Sequence, residues 1–308
     1  MGEFEDTENT ITLKYSVQYN IGVYYNTSMN TYVLAGEVAI HMHKIIDDII
    51  SSTKNRIKAI RDIDTNHTIN ARNLPVSIRL AKEKNHIPVI AEVKPASPTT
   101  HNRDITPKEA AQIAIAMEKA GAVAISVLTE PNFFHGSIEN LEHVRKAVNI
   151  PVLRKDFIID KKQIYEVESD LILLIVGLLG SSLSDFIRLA TQRGLQPLVE
   201  VHNEAELTSA LAANADIIGI NNRNLKTMEV DIKTTEILIT MIKEPTIESM
   251  YPDATGKTII SESGILTPQD AGRAMRAGVD AILVGTSIMK GDIYLNTREL
   301  VETGISQS

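Results

Sequence analysis

The sequence predicts an α/β fold, a (β/α)8 barrel with an N-terminal helical extension. From Ile87 onward, eight short apolar runs alternate with amphipathic stretches of about a dozen residues, the pattern of successive βα units. The 308 residues are enough for such a barrel, which uses about 250 residues as one domain. The alternative, a doubly wound open sheet, usually carries a glycine-rich dinucleotide motif after its first strand, and this chain has none there.

The eight predicted strands are apolar on both faces, as expected of a parallel sheet covered on both sides. They are Pro88–Lys94, Ala122–Leu128, Pro151–Lys155, Asp170–Val176, Gln196–Val201, Asp216–Asn221, Thr258–Glu262 and Asp280–Val284. Proline in the first turn of two helices and glycine at the end of three support the boundaries, at Pro107, Pro268, Gly121, Gly194 and Gly278. The connection from Lys243 to Gly256 contains two prolines and predicts a loop excursion.

Ahead of these strands we divide the chain into an extension, residues 1–41, and a barrel domain, residues 42–308. Isoleucines at helical spacing predict helices over about residues 43–84, just before the barrel. Residues 1–41 show only weak alternation and predict either a hairpin or a disordered segment. We expect residues 1–41 to lie outside the barrel. They would be non-native if they are translated from a start codon upstream of a natural start at Met42.

Composition excludes several classes of function. A net charge of −8 and a pI near 5.5 argue against nucleic acid or an anionic membrane as partner, because phosphate binding needs clustered Lys and Arg. The chain has no cysteine, which excludes disulfides, thiolate metal sites and cysteine nucleophiles and fits a reducing cytoplasm. No apolar run approaches the roughly 18 residues of a membrane span.

Charged residues follow the predicted strands at their carboxyl ends, where barrel enzymes carry their active sites. One such residue could be a structural ion pair, but six at one rim, after otherwise apolar strands, predict an active site. Because side chains alternate, Arg154 should point away from the barrel interior. We expect His202 to point away from Glu200 and assign it no role. The six residues are Glu92, Lys94, Lys155, Glu200, Arg223 and Glu262.

Small residues after the last two strands predict a phosphate site. Ser263-Gly264 and Gly285-Thr286 expose backbone N–H groups at a position where many barrels bind phosphate, and Ser97 can close the site from the first strand. Each loop alone could equally be a tight turn with a helix cap. Two such loops on adjacent strands favour phosphate.

Seven sequence motifs, in order, resemble those of the indole-3-glycerol-phosphate synthase family. The resemblance covers about residues 43–304, nearly the whole chain beyond the first 41 residues, and motifs in register leave little room for chance. The motifs are Ile90–Pro98, Leu153–Ile158, Leu173–Val176, Leu198–Val201, Ile218–Leu225, Ser261–Ile265 and Leu283–Ser287.

The resemblance implies a carbon–carbon lyase of tryptophan biosynthesis that needs no cofactor and no metal. Its phosphorylated small-molecule substrate, 1-(2-carboxyphenylamino)-1-deoxyribulose 5-phosphate, would be converted to indole-3-glycerol phosphate, carbon dioxide and water. By resemblance, Lys155 is the general acid of ring closure, Glu200 and Glu92 are the candidate bases, and Lys94 is a second acid. The sequence leaves open how these four residues divide the steps.

The resemblance also implies residues that hold the substrate. Asn221 and Arg223 match the anthranilate end, where a guanidinium suits a carboxylate, and Glu262 would position a lysine or the sugar hydroxyls. An apolar slot for the aromatic ring would be formed by Phe134, Phe157, Leu173 and Leu225. The chain departs from the family at Pro95-Ala96, where many members have two basic residues, and it has no tryptophan.

Two alternatives stay open at this point. One is another barrel acting on an aminoribulose phosphate, such as phosphoribosylanthranilate isomerase, which would need an Asp or Cys acid–base pair that these strand ends lack. The other is a non-catalytic barrel kept as a partner subunit, which would be expected to have lost an acid or a base. As an enzyme, the chain is expected to be a monomer or weak homo-oligomer that could associate with other tryptophan-pathway enzymes.

Overall fold

The computed structural model describes residues 44–60, 67–97 and 103–303 in full, and the backbone of five short strand segments. Contacts divide the chain into two units, Met1–His41 and Met42–Ser308. In the first unit, four segments form an antiparallel sheet in sequence order. These segments are Phe4–Thr7, Thr10–Leu13, Gly22–Asn26 and Thr31–Ala35.

The second unit contains a closed barrel of eight parallel strands, which confirms the predicted fold. Each strand pairs with the next along the chain, and the last pairs with the first. Their ends lie within two residues of the predicted bounds. The strands are β1 (Val89–Val93), β2 (Ala124–Leu128), β3 (Val152–Lys155), β4 (Leu171–Ile175), β5 (Gln196–Val201), β6 (Ile217–Asn221), β7 (Thr258–Glu262) and β8 (Ala281–Val284).

Helices precede the barrel and connect its strands. The two that precede it are α1 (Lys44–Ile57) and α2 (Leu74–Glu83). The others follow the strands in order and are α3 (Pro107–Lys119), α4 (Ile138–Ala147), α5 (Lys162–Tyr165), α6 (Val176–Leu179), α7 (Leu183–Gln192), α8 (Glu204–Ala212), α9 (Lys233–Ile242), α10 (Pro245–Met250), α11 (Pro268–Ala277) and α12 (Ile293–Glu302). None of the described helices is long and apolar enough to cross a membrane.

The loop predicted between Lys243 and Gly256 is wrong in part. This connection contains α10 and a 3-10 turn at Ala254–Gly256. Pro245 stands in the first turn of α10, where its missing N–H costs nothing. The proline that suggested a loop therefore starts a helix, and Ile247 of that helix is buried.

The barrel interior is filled by apolar side chains rather than being open. Alternate residues of the strands point inward and form one cluster, which includes Ile90, Leu153, Leu198 and Ile260. The same cluster includes Leu74, Ile78 and Ala81 of α2. Helix α2 therefore covers the amino-terminal end of the barrel, and the carboxyl ends of the strands remain for a site.

Candidate active site

Lys155, the last residue of β3, brings its ammonium group into a group of carboxylates at the carboxyl end of the barrel. Its Nζ donates a hydrogen bond to Glu262 Oε2 at 2.9 Å and lies 3.4 Å from Glu92 Oε2. Lys94 Nζ lies 3.5 Å from Glu92 Oε1. Strands β1, β3 and β7 thus deliver two cations and two carboxylates to one place, although their residues are far apart in sequence.

Lys155 stays protonated in this setting. Burial alone would lower the pKa of Lys155, but the carboxylates of Glu262, Glu92 and Glu200 outweigh burial and raise it well above its usual value. Burial would likewise raise the pKa of Glu92, but Lys155 and Lys94 lower it. Before substrate enters, the site therefore holds ionised lysine and ionised Glu92 side by side.

Glu262 occupies space that is free because its neighbour on β6 is a glycine. A Cβ atom built on Gly219 would overlap Glu262 Oε1 and would lie 2.7 Å from Leu198 Cδ2. Burial raises the pKa of Glu262 to about 7, helped by the charges of Glu200 and Glu92 and opposed by Lys155. Sequence reasoning missed Gly219, although a glycine inside a strand is a known signal of close approach.

Glu200, on β5, lies beside Asn221 and His202. Burial would raise the pKa of Glu200, but the charge and close contact of His202, the charge of Lys155 and the contact with Asn221 lower it. The expectation that His202 points away from Glu200 is wrong, since its Nε2 lies 3.2 Å from Glu200 Oε1. The reason is elementary, because residues two apart along an extended strand share a face.

The end of β3 is held from outside the barrel by helix α1. Arg56 binds both carboxylate oxygens of Asp156, at 2.9 and 2.7 Å. Asp156 also accepts hydrogen bonds from Thr129 and Arg154. Arg154 is only 1% exposed and points away from the interior, as predicted. These contacts fix the backbone next to Lys155, and sequence reasoning missed the role of Asp156 because its partner lies 100 residues away.

The loops after β7 and β8 lie against each other where a phosphate was predicted. Ser287 Oγ donates to the carbonyl of Ile265 at 3.4 Å, which joins the two loops. No described residue accepts a hydrogen bond from the backbone N–H groups of Gly264, Thr286 or Ser287. Ser263 and Gly264 have φ angles of 65° and 79°, which turn the chain sharply at this point. These loops can therefore offer N–H donors to an anion.

Gly285 serves the acid–base group as well as this loop. A Cβ atom built on Gly285 would lie 2.6 Å from Glu92 Oε1 and 3.1 Å from Glu92 Cβ. Any side chain at residue 285 would therefore push on Glu92.

Ser97 lies in a two-residue strand, Ala96–Ser97, which pairs with the backbone of Thr100–His101.

Aromatic side chains border the site on the side of β2 and β3. The rings of Phe134 and Phe157 lie 6.0 Å apart, centre to centre. Glu130 accepts hydrogen bonds from the backbone N–H groups of residues 132 to 134 and so fixes the loop that carries Phe134. Phe157, Leu225 and Leu178 pack on the interior cluster that contains Leu173, and sequence reasoning missed Leu178.

The amide and guanidinium residues after β6 are held within their own loop. Asn221 Oδ1 accepts a hydrogen bond from the backbone N–H of Arg223 at 3.0 Å. Arg223 Nη1 donates to the carbonyl of Met228 at 2.9 Å. Burial lowers the pKa of Arg223. The guanidinium keeps further N–H donors beyond this single bond.

Comparison with known proteins gives the family. The family model described as indole-3-glycerol phosphate synthase matches residues 42–300. The chain belongs to this family. The match includes α1, all eight strands and every residue predicted for the site.

Individual relatives agree with this assignment. The indole-3-glycerol phosphate synthase of Halobacterium salinarum is 44% identical and the match covers 76% of this chain and 88% of that protein. That of Endomicrobium trichonymphae is 41% identical, covering 83% of this chain and 99% of the relative. That of Methanopyrus kandleri is 38% identical, and the match covers 85% of this chain and 99% of the relative. Membership of the synthase family leaves no support for the isomerase alternative.

Proposed function

We propose that this member of the indole-3-glycerol phosphate synthase family converts 1-(2-carboxyphenylamino)-1-deoxyribulose 5-phosphate to indole-3-glycerol phosphate with Lys155 as general acid. The observation that carries the proposal is the buried Lys155 ammonium, 2.9 Å from Glu262 and 3.4 Å from Glu92 at the carboxyl end of the barrel. Its raised pKa keeps Lys155 protonated at neutral pH.

Ring closure is the first step. The ring carbon that bears the carboxylate attacks the ribulose carbonyl carbon, and the carbonyl oxygen takes a proton from Lys155. The new carbon–carbon bond draws its electron pair from the aromatic ring, so the ring nitrogen becomes positively charged. Glu262 and Glu92 hold the Lys155 ammonium in one position before this transfer.

Loss of carbon dioxide and water follows. The bond to the carboxylate breaks, and its electron pair returns to the ring and neutralises the nitrogen. A base then removes the proton from the carbon beside nitrogen while the hydroxyl leaves with a proton from an acid. Glu200, whose pKa is lowered, is our candidate base, and Lys94, beside Glu92, is our candidate second acid. The products are indole-3-glycerol phosphate, carbon dioxide and water, which balance the substrate.

The two ends of the substrate are assigned by chemistry. The phosphate would accept hydrogen bonds from the loops after β7 and β8, with Ser97, Ser263, Gly264, Gly285 and Thr286 around it. The anthranilate ring would lie against Phe134, Phe157, Leu173 and Leu225. Its carboxylate would face Arg223 and Asn221, which requires Arg223 to use donors other than the one bound to Met228.

The test is direct. The pure protein is mixed with the carboxyphenylamino substrate, and indole fluorescence is followed as the bicyclic product forms. We expect turnover in the wild type and a kcat lower by about a hundredfold or more in Lys155→Met. A folded wild type without fluorescence increase at millimolar substrate would refute the proposed function.

Cellular context belongs to the same proposal. We propose a cytoplasmic enzyme that is a monomer or a weak homo-oligomer and that could contact other enzymes of tryptophan biosynthesis. Sedimentation velocity over a hundredfold range of concentration tests the oligomeric state, and fractionation of cells tests the location.

A further inference from the structure

We propose that His202 is a positioning residue for Glu200 and is itself held in place by Glu206. We call these two residues the His202–Glu206 clamp. His202 follows β5, and Glu206 lies in the first turn of α8. The inference rests on the proposed function, because it assigns a purpose to fixing Glu200.

Glu206 is a fixed acceptor. Its Oε2 accepts hydrogen bonds from the backbone N–H of His202 and from His202 Nδ1, both at 2.9 Å. Its Oε1 accepts from Asn203 Nδ2 at 3.1 Å. The Glu206 backbone N–H donates to Asn203 Oδ1, the cap of the helix. With both carboxylate oxygens engaged near a helix N-terminus, the Glu206 side chain is held in one position.

This arrangement dictates the protonation of His202. The imidazole has a carboxylate at each nitrogen, Glu206 at Nδ1 and Glu200 at Nε2, 2.9 and 3.2 Å away. A neutral imidazole has one N–H, so one carboxylate would face a lone pair. Only the imidazolium presents an N–H to both. The Nε2 contact has ion-pair distance but not full hydrogen-bond alignment, so it acts mainly by charge.

Charge balance in the site supports the same conclusion. Among the described residues, Glu92 lies beside Lys94 and Lys155 and Glu262 lies beside Lys155, whereas the ion-pair partner of Glu200 is His202. An imidazolium beside Glu200 supplies the third positive charge. Both side chains are nearly inaccessible, 5% exposed for His202 and 3% for Glu200, and a buried carboxylate needs a partner to stay ionised.

The charged groups facing the pair come from several elements. Lys155 on β3 and His202 both lower the pKa of Glu200. The charge of Glu200 in turn raises the pKa of Glu262 on β7. Burial would lower the pKa of His202, but Glu200 and Glu206 raise it to about 10. Because Lys155 and His202 are the two cations that lower the pKa of Glu200, losing the imidazolium removes one of them.

The first experiment compares two neutral variants of different shape. His202→Gln places an amide near the former Nε2, and His202→Asn places one near the former Nδ1. Without the imidazolium, the pKa of Glu200 should rise by about one unit or more. In both variants the acidic limb of the kcat/KM profile should therefore move to higher pH, and kcat/KM at pH values below that limb should fall about tenfold. KM at high pH should change little. Histidine in a purely structural role would lower thermal stability and leave the limb in place, and that result would overturn the clamp.

The second experiment needs no turnover. One of the eight histidines should stay protonated to above pH 9 in ¹⁵N NMR spectra of the labelled wild-type protein. In Glu206→Gln, that titration should move to lower pH. Eight histidines that all titrate near pH 6.5 would overturn the inference even if both His202 variants failed to fold. Absence of turnover in the wild type would refute the proposed function, while this NMR result would still decide the clamp.

Discussion

At the scale of single residues, Lys155 combines two requirements that usually conflict. It is only 17% exposed, yet it must keep a proton until the substrate carbonyl arrives. The carboxylates of Glu262 and Glu92 resolve the conflict because they favour the charged ammonium more than burial disfavours it. The same contacts hold the ammonium still, so its proton is presented from a fixed position.

Replacement of Lys155 should remove turnover but not structure. We expect Lys155→Met to lower kcat by about a hundredfold or more, the usual scale for a lost general acid, with a modest change in KM. Lys155→Arg should not restore it, because a guanidinium is a poor proton donor. The measurement is steady-state kinetics by indole fluorescence.

Arg154→Met is the matched control for Lys155. Arg154 is buried against Asp156 and the carbonyl of Gln163, outside the barrel interior. Its loss should cost about 3–5 kcal/mol of unfolding free energy, as for a broken buried ion pair, and leave kcat per folded molecule near normal. Near-normal kcat in Lys155→Met, with loss in Arg154→Met, would show that the acid is misassigned.

Gly219 provides a second test at this scale. In Gly219→Ala, the new methyl group would overlap Glu262 Oε1 and press on Leu198. We expect a stability loss of about 1–3 kcal/mol from overpacking and a fall in kcat of about tenfold or more, because Glu262 and Lys155 would move together. Gly256→Ala, where nothing lies within 4 Å of the added Cβ, is the control and should change neither quantity.

At the scale of elements, α1 reaches the site through one ion pair. Arg56→Met should lower unfolding free energy by about 1.5–3 kcal/mol, since Asp156 loses a bidentate charged hydrogen bond but keeps Arg154. Chemical denaturation measures this loss. Arg79→Met on α2, whose side chain is 68% exposed, should change stability by less than about 0.5 kcal/mol. Equal effects in the two variants would refute an anchoring role for α1.

The loops after β7 and β8 make a prediction about anions. Inorganic phosphate should inhibit competitively, and Thr286→Asp should raise KM strongly and weaken that inhibition, because a negative charge would stand beside the N–H donors. Thr286 is preferable to Gly285 for this test, since a side chain at residue 285 would disturb Glu92. Gln192→Glu, exposed at the opposite end of the barrel, is the charge-matched control. An unchanged KM in folded Thr286→Asp would remove phosphate from these loops.

The elements differ in how well sequence predicts them. The barrel strands were predictable because strands buried on both faces must be continuous apolar runs, and the residues at their carboxyl ends followed from position alone. Helix α10 was missed because Pro245 is compatible with both a loop and a first helical turn. The contacts of Gly219 and Asp156 were missed because each depends on a partner on another element, which spacing along the chain does not specify. The contact of His202 with Glu200 did follow from their spacing of two residues, and it was missed because strand alternation was applied wrongly.

At the scale of the whole molecule, the division of the chain into residues 1–41 and a barrel domain remains a prediction. We expect a chain that begins at Met42 to keep its thermal stability within a few degrees and its kcat unchanged, because the site residues and α1 all lie beyond it. Removal of residues 1–57, which takes α1 and Arg56 as well, is the control and should lower stability clearly. A large loss of melting temperature in the chain that begins at Met42 would show that the first 41 residues contribute to the barrel.

The covering of the barrel by α2 has a kinetic consequence. With Leu74 and Ile78 packed into the interior cluster, the described part of the chain leaves Lys155 to be approached from the carboxyl ends of the strands. Substrate, carbon dioxide, water and the indole product must therefore share one entrance. A bound product then blocks the next substrate outright, so indole-3-glycerol phosphate should act as a purely competitive inhibitor, and the rate at which it departs sets a ceiling on turnover however fast the bond-breaking steps become.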